Sequence, residues 1–197
     1  MSDTEFEYHD EILPYFLHMY NLTHLNERMV EVAIAHWWLE TQIPANMIHR
    51  GLEVGNVLGH YDRRRHNVID LYEKSAWYQR QQVIEADLLN LQPLPRGGKI
   101  TYPWVCSIST IEHTGAGTAA VGVLKGLTRP GGKLLVTFPT GVDSSLDDMV
   151  NRGLMDFTRS CTISRCGDGW LQDEFPVVSE YGPWANAVAI CEWTAPS

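Results

Sequence analysis

Arg50 to Tyr61 reads RGLEVGNVLGHY, and the interpretation of this stretch decides the fold. An apolar run closes on Glu53, and glycines follow at Gly55 and Gly59. Between them, where a nucleotide-binding turn commonly carries a further glycine, stand Asn56 and Val57. A strand that ends in an acid and turns through glycine into a helix brings backbone N–H groups and a carboxylate to the carboxyl edge of a sheet, where open α/β folds bind ligands. Taken alone, Glu53-x-Gly55 is a weak signal, because glycine after a strand is more often a plain tight-turn residue. The residues that follow strengthen it. Asp70 and Glu73 stand at the end of a second apolar run, close to the spacing at which an acid meets a pair of ribose hydroxyls. Asp87 follows a third run in VIEADLLNL. Three acids ending three successive runs argue for a ligand edge rather than a solvated face.

The chain on either side supports a sheet. Candidate strands are Ile48–Val54, Asn67–Leu71, Gln82–Glu85, Trp104–Ser109, Lys133–Pro139 and Ala185–Trp193. Several are apolar on consecutive residues, notably KLLVTF and NAVAIC, as strands covered on both faces must be. The expected class is α/β with a mostly parallel sheet. TRPGGK, Thr128 to Lys133, has the chemistry of a helix-to-strand turn, and PLPRGGK, Pro93 to Lys99, does a similar job before Trp104. From Asp10 to Pro44 apolar residues recur at helical spacing (Ile12, Tyr15, Phe16, Met19, then Met29, Val30, Ala33, Ile34, Trp37, Trp38), which predicts two or three helices before the core.

Length and composition bound the rest. A chain of 197 residues with 44% apolar and 20% charged side chains buries one sizeable core. Its net charge of −9 disfavours phosphate backbones and anionic membrane surfaces as partners. The acidic start MSDTEFEYHDEI lacks the form of a signal peptide, and no apolar run approaches the roughly 18 residues that span a bilayer. Cys106, Cys161, Cys166 and Cys191 are too scattered for a disulfide framework, so reduced thiols in a cytoplasmic protein are expected.

The ordered motifs GLEVGNVLGHY, NVIDLYEK, EADLLNL, VCSISTIEHTG and RPGGKLLVTFPTG resemble the class I S-adenosylmethionine-dependent methyltransferases. They are similar in particular to a small-molecule branch with E-V-G-N as first motif and S-I-S-T-x-E-H after the fourth strand. The resemblance covers Ile48 to Gly141 and implies a Rossmann-like, doubly wound domain over residues 47–197 behind an N-terminal helical cap, residues 1–46, within one structural domain. It implies S-adenosylmethionine as cofactor. Glu53 and Gly55 would border its methionine part, with Asn56 beside them among the cofactor-binding residues, Asp70 (with Glu73 as rival) its ribose, and Asp87 and the Leu88 N–H its adenine. Ser107 to Ser109 would pass beneath the sulfonium. Val57 departs from the common glycine pattern, and Asn56, tolerant of a left-handed conformation, is expected to restore the turn.

Methyl transfer needs an aligned nucleophile and, for a hydroxyl acceptor, a base. His113 in STIEHTG is the candidate base, with a helix-start or packing histidine as the alternative; His60 is the second candidate, and Asp143 is either a substrate contact or a turn residue. No metal site is expected. Cys161-x4-Cys166 has the wrong spacing for zinc, and His18, His24, His36 and His49 form no H-E-x-x-H. Trp37-Trp38 reads as core or as an aromatic lid. YDRRRHN, Tyr61 to Asn67, is a solvated basic loop or a contact for an anionic group.

The leading function is methylation of an oxygen or nitrogen of a small molecule, a sugar or another metabolite. A nucleic-acid methyltransferase is the alternative, opposed by the −9 charge and by SISTIEH where base-amino methylation uses an Asn/Asp-Pro-Pro-aromatic clamp. A non-catalytic binding or assembly protein on the same fold is the third reading.

Overall fold

A computed structural model describes residues 4–21, 26–61, 64–74, 82–91, 100–154 and 156–197. The chain opens with an antiparallel hairpin, β1 (Glu5–Tyr8) and β2 (Glu11–Pro14), then a 3-10 turn at Met19–Asn21 and helix α1 (Arg28–Gln42). A second 3-10 segment, Ala45–Arg50, leads into β3 (Leu52–Val54), the short helix α2 (Leu58–Tyr61), β4 (Asn67–Asp70) and β5 (Gln82–Glu85). There follow β6 (Tyr102–Ile108), α3 (Gly117–Leu127), β7 (Thr128–Pro139), α4 (Ser144–Asn151), β8 (Arg159–Cys166), β9 (Gly169–Gln172) and β10 (Ala187–Thr194).

The main sheet has the order β5-β4-β3-β6-β7-β10-β8-β9. Its first five strands are parallel throughout. β10 lies antiparallel between β7 and β8, so β8 points the same way as those five. The strand order reverses beside β3, which puts the glycine loop at the switch point of a Rossmann-like sheet.

Both faces of the sheet are covered, which explains the unbroken apolar runs. Along β6, Trp104, Cys106 and Ile108 face the core shared with α1 and the hairpin, while Val105 faces the core shared with α3 and α4. On α1, Met29, Val30, Ala33, Ile34 and Trp38 are buried, and the helix stops before Pro44 because Ile43 takes the extended conformation that a following proline imposes. Trp38 packs edge-on against Trp104, with centroids 6.3 Å apart, and both are buried.

Several sequence expectations are corrected. The helical reading from Asp10 onward fails for the hairpin. Glu5 and Glu7 are exposed while Phe6 and Tyr8 are buried, a period of two that ends too soon to stand out. Ile48–Val54 is mostly 3-10 turn, with only Leu52–Val54 in the strand. β8 and β9 were not expected, because RSCTISRC is largely polar and GWLQ is short. TRPGGK does follow a helix, α3, but it already belongs to β7, which shifts register against β6 there. The turn expected at Pro93–Lys99 lies outside the described residues.

One buried acid anchors α1 to the sheet. Glu31, fully buried in the first turn, accepts hydrogen bonds from Ser109 Oγ and Thr137 Oγ1, each at 2.7 Å, and pairs with Arg28. Those hydroxyls lie on the β6 and β7 ends, so the bond network fixes where α1 crosses the sheet. Removing one partner of a buried pair costs about 3–5 kcal/mol. Glu31→Ala is therefore expected to lower unfolding free energy by that order in chemical denaturation, and Glu31→Gln by less; a loss below about 1 kcal/mol for the alanine variant contradicts the anchoring role.

Candidate functional site

The turn after β3 is shaped by Glu53. Its carboxylate, fully buried, accepts from Val57 N at 2.9 Å and Leu58 N at 2.6 Å on one oxygen, satisfying donors at the start of α2. The other oxygen meets His66 Nε2 at 2.7 Å. Glu53 thus holds the loop from behind and is not among the residues lining the cleft described below. Gly55 takes φ +83°, and a Cβ on it would stand 2.0 Å from Thr110 Oγ1, so close approach to β6 and the left-handed conformation both require glycine there. Asn56 is not left-handed, contrary to expectation. It is buried and ties the loop to the next strand instead: its N–H donates to Asp70 Oδ2 at 2.9 Å and its Nδ2 to Glu73 Oε2 at 2.7 Å. Val57 turns into the core, so the position needs no glycine.

Asp70 closes β4 and receives two more backbone hydrogen bonds, from Tyr72 and Glu73, both at 2.8 Å. Glu73 also pairs with His60 Nε2 at 3.0 Å, which places His60 and Glu73 outside the cleft wall, as a brace. Asp87 follows β5 and caps a 3-10 turn, Leu88–Asn90, accepting from Leu89 N at 2.9 Å. Gly55, Asp70, Asp87, Leu88, Ser109 and His113 share the wall of one cleft of about 410 Å³, with Val54, Leu71 and Thr110 among the others. That volume lies within the range of small-molecule sites, roughly 300–1,000 Å³. Ser107 is buried beneath it, donating to Val54 O at 3.0 Å.

Beyond β6 the chain turns through Ile111–His113. His113 is largely exposed on the cleft wall. Glu112 points inward: its side chain is fully buried, and beyond its own backbone N–H neither carboxylate oxygen has a hydrogen-bond partner among the described residues. Burial, reinforced by Glu31 and Glu27 against the opposing pull of its own backbone N–H and of Arg28, pushes its acid up to about 8. Burial and Glu31 also raise Glu27, which accepts from Ala185 N at 3.3 Å. Sequence reading passed over this group. The signal was present in RMVEVAIA, where Glu31 sits on the apolar face of α1 one turn after Glu27.

Other candidates have structural employment. Asp143 caps α4 through Ser145 N and Leu146 N. Of the basic loop, Arg64 pairs with Glu40 of α1 at 2.7 Å and His66 serves Glu53, while residues 62 and 63, like His24, lie outside the described residues. Trp37 packs edge-on against Tyr8, and with Trp38 it belongs to the core rather than to the cleft wall. The four cysteines are free, and Cys166 alone among them is exposed. Among the described residues no helix is long and apolar enough to cross a membrane.

Neither a protein-family model nor a curated protein matches the sequence. Solved structures match the fold. N-methyltransferase NodS from Bradyrhizobium japonicum WM9, in complex with S-adenosyl-L-homocysteine, superposes with a TM-score of 0.57 at 10% identity, over 87% of this chain and 89% of that one. The CurJ carbon methyltransferase superposes with a TM-score of 0.50 at 15% identity, over 89% of this chain and 55% of that one. At such identities the likeness is one of fold: the chain has the fold of S-adenosylmethionine-dependent methyltransferases.

The raised acid of Glu112 has a signed consequence. An unfolded glutamate titrates near about 4.3, so between there and about 8 the folded protein holds a proton that the unfolded chain has released. Stability therefore falls as pH rises through that window. Glu112→Gln cannot ionise and should remove the loss, so the thermal midpoint of the variant relative to wild type should climb from pH 5 to pH 9. An equal difference at both pH values contradicts the assignment.

Proposed function

We propose that the protein transfers the methyl group of S-adenosylmethionine to an oxygen or nitrogen of a small molecule. The observation that carries this reading is the cleft at the switch point, where Gly55, Asp70, Asp87 and Leu88 meet at the carboxyl edge of β3, β4 and β5. The residues present suit the cofactor. Asp70 keeps acceptor capacity for a ribose hydroxyl after its three backbone bonds, Leu71 and Leu88 would offer apolar faces to adenine, and Asp87 would accept from its amino group. Glu53, Asn56, Glu73 and Ser107 act behind this wall by fixing the turns that carry it, whereas Ser109 shares the wall itself.

When bound, the cofactor supplies an activated methyl group. The protein has to align the acceptor, exclude water and, for a hydroxyl, take a proton. His113 is the base in this reading, because it reaches the cleft from the turn after β6. In this reading α1 forms part of the cap on the acceptor side, held against β6 and β7 by the Glu31 network. A small-molecule acceptor is favoured over nucleic acid by the net charge of −9, and the neighbour NodS is an N-methyltransferase.

Isothermal titration with S-adenosylmethionine tests the reading first. Each charge-assisted ribose bond is worth about 1.5–3 kcal/mol, so Asp70→Ala should weaken binding at least tenfold, while His113→Ala should leave it unchanged and lower kcat by about 10²–10⁴-fold with a hydroxyl acceptor. Undetectable cofactor binding by the wild-type protein overturns the function, and unchanged affinity in Asp70→Ala overturns the ribose assignment.

A further inference from the structure

Resting on the methyltransferase reading, we infer that the acceptor is an amine, bound as its ammonium ion by the carboxylates of Glu112 and Glu27 between α1 and the end of β6. Among the described residues, three carboxyl groups, Glu27, Glu31 and Glu112, share this buried region with one guanidinium, Arg28, and act electrostatically on one another. Glu31 is fully satisfied by Arg28, Ser109 and Thr137. Arg28 is thus bonded to Glu31, and among the described residues it is the one guanidinium beside three carboxyl groups.

Glu112 makes this more than a group of acids. It is 4% exposed, Glu31, Glu27 and Arg28 act on it electrostatically, and beyond its own backbone N–H its oxygens lack a hydrogen-bond partner among the described residues. His113 Nε2 stands 3.5 Å from Oε1, within reach of charge but beyond a formed hydrogen bond. A buried carboxyl without partners is costly and is retained where something completes it. An ammonium group, with several N–H donors and a positive charge, supplies what this site lacks; a neutral hydroxyl supplies one donor and no charge. Tyr181, on the loop before β10, lies within electrostatic range of the same acids and is 44% exposed, so the region borders solvent on that side. On the other side, Ser109, Thr110 and His113 connect Glu112 to the proposed cofactor cleft.

The chemistry balances without a further reactant. The ammonium N–H bond breaks and its proton passes to the Glu112 carboxylate, leaving the lone pair on nitrogen. That pair forms the new N–C bond as the methyl carbon leaves sulfur, whose bonding electrons stay with it as a neutral thioether. The product departs as a methylated ammonium ion, and neighbouring His113 relays the Glu112 proton to solvent.

Among the described residues, the groups acting on Glu112 are Glu27 at the N-cap of α1, Arg28 and Glu31 from α1, His113 from its own turn and Tyr181 from the loop before β10. With its acid near 8, Glu112 is mostly protonated at pH 7, and an arriving ammonium ion should drive that proton off. The test is titration of the S-adenosylhomocysteine-saturated protein at pH 7 with ethylamine, benzylamine and 1,4-diaminobutane, each beside its isosteric alcohol, in two buffers of different ionisation heat. At least one amine should bind tenfold or more tightly than its alcohol and release close to one proton. Glu112→Gln should abolish both the preference and the release, and Glu27→Gln should reduce the preference; if the first variant fails to fold, the second decides. Equal binding of amines and alcohols, no amine binding at all, or a preference that survives in a folded Glu112→Gln overturns the inference while leaving the methyltransferase reading intact. Failure of the wild-type protein to take up S-adenosylhomocysteine overturns both.

Discussion

The site depends on a carboxylate that has no access to the cleft. Glu53 is buried beneath the first turn, where it accepts two backbone N–H groups at the start of α2 and the imidazole of His66. Because those donors are fixed, the chain must leave β3 at Gly55 in a left-handed conformation, with Thr110 too close for any side chain. The N–H of Asn56 then reaches Asp70, and its side chain reaches Glu73. A loop that lacks the usual middle glycine is in this way made rigid by side-chain bonds, and Val57 adds packing where a glycine would add only freedom.

Two kinds of acid meet at the carboxyl edge of the sheet. Asp70, Asp87 and Glu53 are tied to backbone N–H groups, which hold the turns in shape. Glu27 and Glu112 sit on the side covered by α1, where burial and mutual repulsion favour the neutral form. The first set organises a pocket, and the second leaves a polar deficit beside it. Glu31 stands at the border, shared between α1, β6 and β7, and so couples the position of the N-terminal helix to the edge against which an acceptor would rest.

Much of this was legible in the sequence, for physical reasons. Strands covered on both faces must be apolar on consecutive residues, so KLLVTF and the run ending in Ile69 announced themselves, and the acids Asp70 and Asp87 at two strand ends stand on the wall of the cleft. The hairpin Glu5–Pro14 and the strand Arg159–Cys166 were hidden because short or polar strands carry too few apolar residues to show a period. The cleft residues Asp70, Asp87 and His113 could be named because spacing places them. The work of Glu53 could not, since its partners are backbone groups and a histidine that only the fold brings near. Glu112 was hidden for the opposite reason: its significance lies in partners it does not have, and local sequence says nothing of that.

A crystal structure of the protein with S-adenosylhomocysteine tests the central claim most directly. The account predicts adenine between Leu71 and Leu88, ribose hydroxyls on Asp70, and Glu53 still bonded to Val57 N, Leu58 N and His66. A ligand bound elsewhere, or a Glu53 side chain that has released those groups to reach the ligand itself, would contradict it.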